Sequence, residues 1–306
     1  MLTPRIQDIS IPIEFGVITD RLEAGPDRPL LVHISDAHCN SQVQGNIAAI
    51  GRHLVDTYGF RLFGVEGTDG PISVAGYRRS EAMRRHVEEG LEAGTITGPE
   101  WLAVMHAETL SLQGIEDGTV YGRNLEAMKT VMAGSAPALE WLTRLIGAMA
   151  ELPGPVEIGK ARALVALLAD GVRFRILRGT YLAYSEALRG LDLDGIVTGI
   201  AAHNPRAGDA LRQGLEGAKR VAAGVLDFYT TALARDGILF GNAMKAMRRL
   251  SFSRAAMVTG GLHVGGIKES ALAAGVGTVF IRPQVTWSTI AAGERKYHEI
   301  MRRQPS

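Results

Sequence analysis

The stretch Leu30–Asn40 constrains the fold more than any other part of the chain. It reads Leu-Leu-Val-His-Ile-Ser-Asp-Ala-His-Cys-Asn and passes from an apolar run directly into side chains that bind metals or move protons. The length and β-branched content of Leu30–Ile34 favour a buried parallel strand. In open α/β sheets ligands bind where such strands end, so His38 is a candidate site residue.

A second strand follows within about forty residues. Ser41 is a suitable cap for a helix whose apolar residues keep the 3.6-residue period as far as Tyr58. Phe60–Val65 is again short and apolar, and it ends in Glu66. This βαβ pattern predicts parallel strands joined by a right-handed crossover, so His38 and Glu66 should leave the same edge of the sheet.

Three later segments extend the same pattern. Leu110–Ile115 predicts a strand that ends in Glu116 and Asp117, and Thr278–Ile281 predicts a last strand that ends in Arg282. Arg254–Thr259 predicts a strand that runs into a glycine-rich segment containing His263. We therefore expect an α/β fold with a mostly parallel central sheet of at least five strands, flanked by helices.

The middle of the chain has helical periodicity instead. No alternating pattern interrupts residues 155–250, where we predict helices over Ile158–Leu168, Tyr181–Leu188 and Ala207–Leu233. We expect residues 1–306 to form a single α/β domain in which 155–250 is a helical insertion that acts as a lid. An earlier helix should break or bend near Gly134–Pro137, and the tail after Trp287 should be less regular.

Composition excludes several classes of protein. The 306 residues carry 33 basic and 32 acidic side chains, a net charge of +1, which argues against nucleic acid and anionic membranes as partners. One cysteine, Cys39, excludes a disulfide framework or a zinc site built on paired thiolates. With no run of 18 apolar residues and no signal-peptide pattern over Met1–Phe15, we expect a cytoplasmic protein.

Three predicted strand ends carry His38, Glu66 and His263. Two imidazoles and one carboxylate are the ligand set of many metal sites that keep positions open for water or substrate. We expect these donors to converge on one divalent ion (zinc, manganese, cobalt or iron) at about 2.0 to 2.2 Å. The competing interpretation is structural: each histidine caps a loop, and Glu66 makes a salt bridge.

Three further residues have candidate supporting roles. Asp36 lies two residues before His38 on the same side of an extended backbone, as a fourth ligand or as an acceptor that orients a histidine. Glu116 is a candidate general base or support. Arg282 is a candidate for holding an anionic substrate or a developing oxyanion. Cys39 is a weaker candidate nucleophile, because neighbouring residues at a strand end point to opposite sides.

Four segments at the predicted strand ends carry short motifs: Ser35-Asp36-Ala37-His38 with Gln42 and Gln44, Gly64-Val65-Glu66-Gly67, Gly114-Ile115-Glu116-Asp117 and Gly260-Gly261-Leu262-His263. Together they resemble the erythromycin esterase and ChaN-like superfamily, which includes the TraB and Tiki metalloproteases. The resemblance covers about 30–117 and 254–283. In TraB and Tiki proteins two Gly-x-x-His motifs flank a glutamate; here the second motif is intact and the first has Ser35 in place of glycine.

The resemblance implies a hydrolytic or metal-binding site carried by His38, Glu66 and His263. Related proteins include esterases, metal-dependent peptidases and a haem-binding lipoprotein, and we expect neither their membrane anchor nor their lipoprotein signal here. The leading hypothesis is a metal-dependent hydrolase of peptide, amide or ester bonds in small-molecule or peptide substrates, with Glu66 or Glu116 taking the proton of the attacking water. The alternatives are a non-catalytic metal- or haem-binding protein and a metal-independent esterase with His38 as general base.

Overall fold

The computed structural model describes residues 5–25, 28–106, 109–152 and 155–303. Over these residues the chain has the predicted α/β architecture, with seven strands in one mostly parallel sheet and eleven α-helices. The strands are β1 Gly16–Leu22, β2 Leu30–Asp36, β3 Leu62–Val65, β4 Asp69–Ile72, β5 Ser111–Ile115, β6 Arg254–Gly260 and β7 Gly277–Pro283. The helices are α1 Ser41–Tyr58, α2 Glu81–Glu92, α3 Gly98–Met105, α4 Gly118–Met149, α5 Pro155–Val172, α6 Arg178–Arg189, α7 Leu193–His203, α8 Pro205–Arg212, α9 Leu215–Arg249, α10 Val264–Ala274 and α11 Trp287–Arg303.

The strand order in the sheet is β1-β7-β2-β6-β3-β5-β4. The five central strands are parallel and correspond to the five predicted from the sequence. The two edge strands, β1 and β4, run antiparallel to their neighbours and were not predicted. The sequence of β4, Asp-Gly-Pro-Ile, is mostly exposed and is typical of a turn. It can form a strand here because glycine and proline are tolerated at the edge of a sheet.

Side chains of β2 alternate between the two faces of the sheet. Leu30, Val32 and Ile34 belong to a core cluster that includes apolar residues of α1, α2 and α3. Leu31 belongs to the cluster on the opposite face, which includes residues of α9 and α10. Both faces of β2 are therefore covered, which explains why Leu30, Leu31, Val32 and Ile34 are apolar on either side of the buried His33.

Some predicted helix boundaries were wrong. The helix α4 continues through Pro137, so the predicted break near Gly134–Pro137 is absent, and the alternative of a bend there stays a prediction. Proline has no N–H to donate, so the carbonyl of Ala133, four residues before Pro137, has no partner within the helix. Both residues lie on the exposed side of α4, where water can bond to that carbonyl. The predicted helix Ala207–Leu233 is instead interrupted at Gly214, which has a φ of 92°. The cap of α1 is Asn40, one residue earlier than predicted, and its side chain accepts from Val43 N at 3.1 Å.

The tail after Trp287 is the helix α11 and not the irregular segment predicted from its sequence. The chain separates into two compact units, one formed by Met1–Tyr121 with Leu233–Gln304 and the other by Gly122–Ala232. Residues 155–250 are helical, as predicted, and their role as a lid stays a prediction. None of the helices in the described part of the chain is long and apolar enough to cross a membrane.

Candidate functional site

Four neighbouring strand ends carry the candidate site. In the order of the strands across the sheet, these ends supply His38 after β2, His263 after β6, Glu66 after β3 and Glu116 after β5. The Nε2 atom of His38 lies 3.9 Å from Oε2 of Glu66, and Nε2 of His263 lies 3.3 Å from Oε1. The structure thus brings together the three residues expected to converge, with Glu66 facing both imidazoles.

His38 lies in the sharp turn between β2 and α1. Cys39, the next residue, has a φ of 59°, a left-handed conformation that turns the chain from the strand into the helix. The outer nitrogen of His38, Nδ1, is 2.7 Å from Oδ2 of Asp36. Because an ionised carboxylate only accepts, Nδ1 carries the hydrogen and Nε2 is directed towards Glu66. The His38 side chain is 34% exposed, so solvent reaches it.

His263 repeats this arrangement in a buried position. It ends a short 3-10 turn, Gly261–His263, that joins β6 to α10, and its Nδ1 lies 2.7 Å from Oδ1 of Asp236 on α9. Gly266 in the first turn of α10 makes room for this carboxylate, because a Cβ there would lie 1.9 Å from Oδ2 of Asp236. Each histidine therefore has its own carboxylate.

The side chains at these four strand ends form one cluster with Asp36, Arg235 and Asp236. Arg235 joins its two glutamates, Glu66 and Glu116. Its Nη2 lies 2.5 Å from Oε1 of Glu66 and also contacts Oε1 of Glu116, while its Nε donates to Oε2 of Glu116 at 3.2 Å. The side chains of Arg235 and Glu116 are 4% and 0% exposed. The ring of Tyr121 lies 5.1 Å from the guanidinium carbon, a cation–π distance. Two buried carboxylates thus share one buried cation.

Glu66 is the centre of this network. Besides Arg235 and the two imidazoles, it accepts a hydrogen bond from Gly260 N at 2.6 Å. Burial alone would raise the pKa of Glu66, but the positive charges of His263, His38 and Arg235 hold it well below its ordinary value of 4.5. Glu66 is therefore an anion throughout the physiological range.

The negative charges near the two histidines raise the pKa of each imidazole. Desolvation lowers the pKa of His38, but the charge and hydrogen bond of Asp36 outweigh it and raise the pKa to about 9. For His263 desolvation is likewise outweighed, by the charge of Glu66 and the hydrogen bond to Asp236, and its pKa is also raised to about 9. Near pH 7 both rings are mostly imidazolium ions.

These shifts predict how stability depends on pH. A histidine whose pKa rises from 6.5 to about 9 on folding stabilises the folded state fully below pH 6.5, and this contribution is lost as the pH rises through 9. Glu66, whose pKa falls from 4.5, contributes fully above that value and loses its contribution as the pH falls further. We expect the free energy of unfolding, measured with urea, to be largest between about pH 5 and 6.5. A rising stability between pH 7 and 9 would contradict the assignment.

Two aromatic side chains border the cluster. Tyr297 on α11 stacks on the His38 ring, with centroids 5.3 Å apart and planes 24° apart. Burial, and then the charge of Glu66, raise the pKa of both Tyr297 and Tyr121, so both phenols stay protonated. Burial followed by the charge of Asp36 raises the pKa of Cys39 to about 11, which keeps it a thiol and makes it a poor nucleophile.

The supporting residues named from the sequence have different positions. Asp36 orients His38, one of the two roles expected for it. Glu116 is buried and paired with Arg235. Arg282 is exposed on β7, opposite Val17 of β1, and its guanidinium makes no hydrogen bond or ion pair with any residue that the structure describes. The structure therefore does not bring Arg282 into the cluster.

The sequence analysis missed Arg235 and Asp236, which lie side by side on α9. A signal was present, because this charged pair interrupts an otherwise apolar run of helix, Leu233–Phe240. It also gave no role of its own to Gln44, whose side chain is buried against Asp36. Tyr297 was missed because the tail was not recognised as a helix.

The donor atoms of the cluster were compared with those of a metal site. Two donors that share one ion tetrahedrally at about 2.1 Å lie about 3.4 Å apart, similar to the separations between Glu66 and the imidazoles. Carboxylates behind both histidines are also common in metal sites. In this arrangement, however, Glu66 is shared with Arg235 and Gly260, and within the described residues no group of three or more His, Cys, Asp or Glu side chains is arranged to hold a metal ion.

Comparison of the chain with models of protein families, with curated proteins and with solved structures finds no match. The resemblance to the erythromycin esterase and ChaN-like superfamily stays a prediction that depends on the motifs at the strand ends.

Proposed function

We propose that this protein hydrolyses an ester or amide bond, with His38 as the general base. The observation that carries the proposal is the pair of histidine–carboxylate contacts whose inner Nε2 atoms both face Glu66. His38 is the solvent-accessible member of the pair, since its side chain is 34% exposed against 4% for His263. Nε2 of neutral His38 would accept a proton from a water molecule that attacks the acyl carbon.

The reaction balances with the groups present. The water oxygen bonds to the acyl carbon while its proton moves to Nε2 of His38, giving an imidazolium ion and a tetrahedral intermediate. Glu66 and Asp36 stabilise this imidazolium through their negative charge. The same proton then passes to the leaving oxygen or nitrogen as its bond to the acyl carbon breaks. Glu66 itself is a weak base here, because its pKa lies well below its ordinary value.

Metal-dependent hydrolysis is the second candidate, and the donor separations of 3.3 and 3.9 Å around Glu66 favour it. His38, Glu66 and His263 would hold the ion. A bound divalent ion would act as a Lewis acid and lower the pKa of a bound water. Holding it would require Glu66 to bind the cation beside the buried guanidinium of Arg235, which opposes a second positive charge. The metal-free reaction requires no such rearrangement.

A hydrolysis screen with chromogenic esters and anilides separates these proposals. We expect protein dialysed against a chelator to keep its activity and His38→Ala to lose about 10²- to 10⁴-fold in kcat, the usual contribution of a general base. His53→Ala is a matched control, because His53 lies on α1 and bonds Ser10 O, outside the cluster. Loss of activity on chelation and its return with added zinc or manganese would favour the metal-dependent reaction. Full activity in His38→Ala would exclude both.

A further inference from the structure

The amide of Gln44 connects the His38 turn to a second helix. Gln44 lies in the first turn of α1 and is 2% exposed. Its Oε1 accepts from the backbone N of Gly98, the first residue of α3, at 2.9 Å. Its Nε2 donates to Oδ1 of Asp36 at 2.7 Å. The other oxygen of Asp36 holds His38, so one chain of hydrogen bonds runs from α3 to the imidazole.

The orientation of this amide is fixed by its partners. A backbone N–H only donates, so the atom facing Gly98 must be the oxygen, and the NH₂ group must face Asp36. The backbone that anchors Gln44 is itself packed closely, because a Cβ at Gly98 would lie 2.7 Å from Ala48 N and 2.8 Å from Gln44 O. Thr97 and Glu100 form a capping box at the start of α3 and hold its first turn. The amide thus has one orientation and a rigid support.

We infer that Gln44 is a positioning residue that acts on His38 through Asp36. This inference rests on the proposed function. With Gln44 bonded to one oxygen of Asp36, the carboxylate presents its other oxygen to Nδ1 of His38 in a fixed plane. That contact keeps the hydrogen on Nδ1 and leaves Nε2 as the reactive nitrogen. Losing the amide would free the carboxylate to rotate and would leave the N–H of Gly98 without its acceptor.

The test compares Gln44→Met with Gln113→Met. Both glutamines are buried amides in the same compact unit, and Gln113 bonds Arg249 at 2.6 Å without touching the cluster. We expect Gln44→Met to lower kcat about 10- to 100-fold, as is typical of residues that orient a reactive side chain, with KM little changed. Gln113→Met should leave both constants unchanged. Gln44→Glu, which keeps the oxygen facing Gly98, serves if the methionine variant does not fold.

A second measurement does not depend on activity. A histidine Nδ1–H bonded to a carboxylate gives a far-downfield proton resonance, and the cluster should give two, one of which disappears in Asp36→Asn. In Gln44→Met this His38 resonance should shift or broaden while that of His263 stays unchanged. If no substrate is hydrolysed, the proposed function fails and the resonance still decides the role of Gln44. An unchanged His38 resonance in both Gln44 variants would overturn the inference.

Discussion

Arg235→Met is expected to destabilise the protein more than any other single substitution in the cluster. Removing the guanidinium leaves Glu66 and Glu116 buried without their cation, at side-chain exposures of 10% and 0%. Breaking one member out of a buried ion pair typically costs about 3 to 5 kcal/mol. Urea unfolding at pH 7 would measure this loss. The loss should shrink towards pH 5, because a carboxylate that has lost its cation takes up a proton more readily.

A matched control is available in another arginine–carboxylate pair. Arg123 and Asp227 are 2.5 Å apart, with side-chain exposures of 69% and 37%. Because solvent screens such a pair, Arg123→Met should leave the free energy of unfolding unchanged within error. Equal stability of Arg235→Met and Arg123→Met would mean that the buried network does not hold the glutamates as described.

Asp36→Asn is expected to lower activity about as much as removal of His38 itself. An asparagine amide in place of the carboxylate can donate to Nδ1 of His38, which moves the ring hydrogen to Nε2 and removes the base. By analogy with the Ser-His-Asp triad, whose aspartate acts in the same way, we expect kcat to fall by about 10³- to 10⁴-fold.

In the parent protein kcat/KM should rise about tenfold per pH unit from pH 7 and level off near pH 9, because only neutral His38 accepts a proton.

The substitution Asp36→Asn should also change the pH dependence of the activity. Asp36 is the main group that raises the pKa of His38, so in Asp36→Asn the residual activity should level off at a lower pH. Asp56→Asn is the control, because Asp56 bonds His106 at 2.8 Å in a comparable pair on the protein surface. A parent profile that is flat from pH 6 to 9 would contradict His38 as the base.

The buried strands could be predicted because few other elements of secondary structure fit such short apolar runs. The apolar side chains of β2 and β6 lie together in short buried runs, Leu30–Val32 with Ile34 and Ala255–Val258, as is typical of strands covered on both faces. Edge strands lack this constraint, and β1, which is mostly half-buried, was interpreted as an irregular start. The helix α11 was missed although Ile290, Tyr297 and Met301 recur at helical spacing, because charged residues separate them and Trp287 at its start is exposed.

The site was predicted where topology alone determines position. Parallel strands deliver their carboxyl ends to one edge, so His38, Glu66 and His263 could be grouped without knowing the strand order. Arg235 and Asp236 come from a helix about 170 to 200 residues further along the chain than Glu66 and Asp36, and no rule of sheet topology places such a helix over particular strand ends. The carboxylate partner of His263 and the cation shared by the two glutamates therefore required the tertiary structure, whereas Asp36, the partner of His38, was a candidate from the sequence.

The strand order also determines when this protein can fold during its synthesis. Among the residues that the structure describes, the partners of β2 are β6 and β7, which follow residue 253 in the chain, and β6 also separates β2 from β3. At about 5 to 20 residues per second, the ribosome would take on the order of 10 to 40 s to reach β6 after completing β2. During that interval an apolar segment with two unpaired edges must be kept from aggregating. The centre of the sheet is therefore expected to form late, once residues 254–283 have left the ribosome.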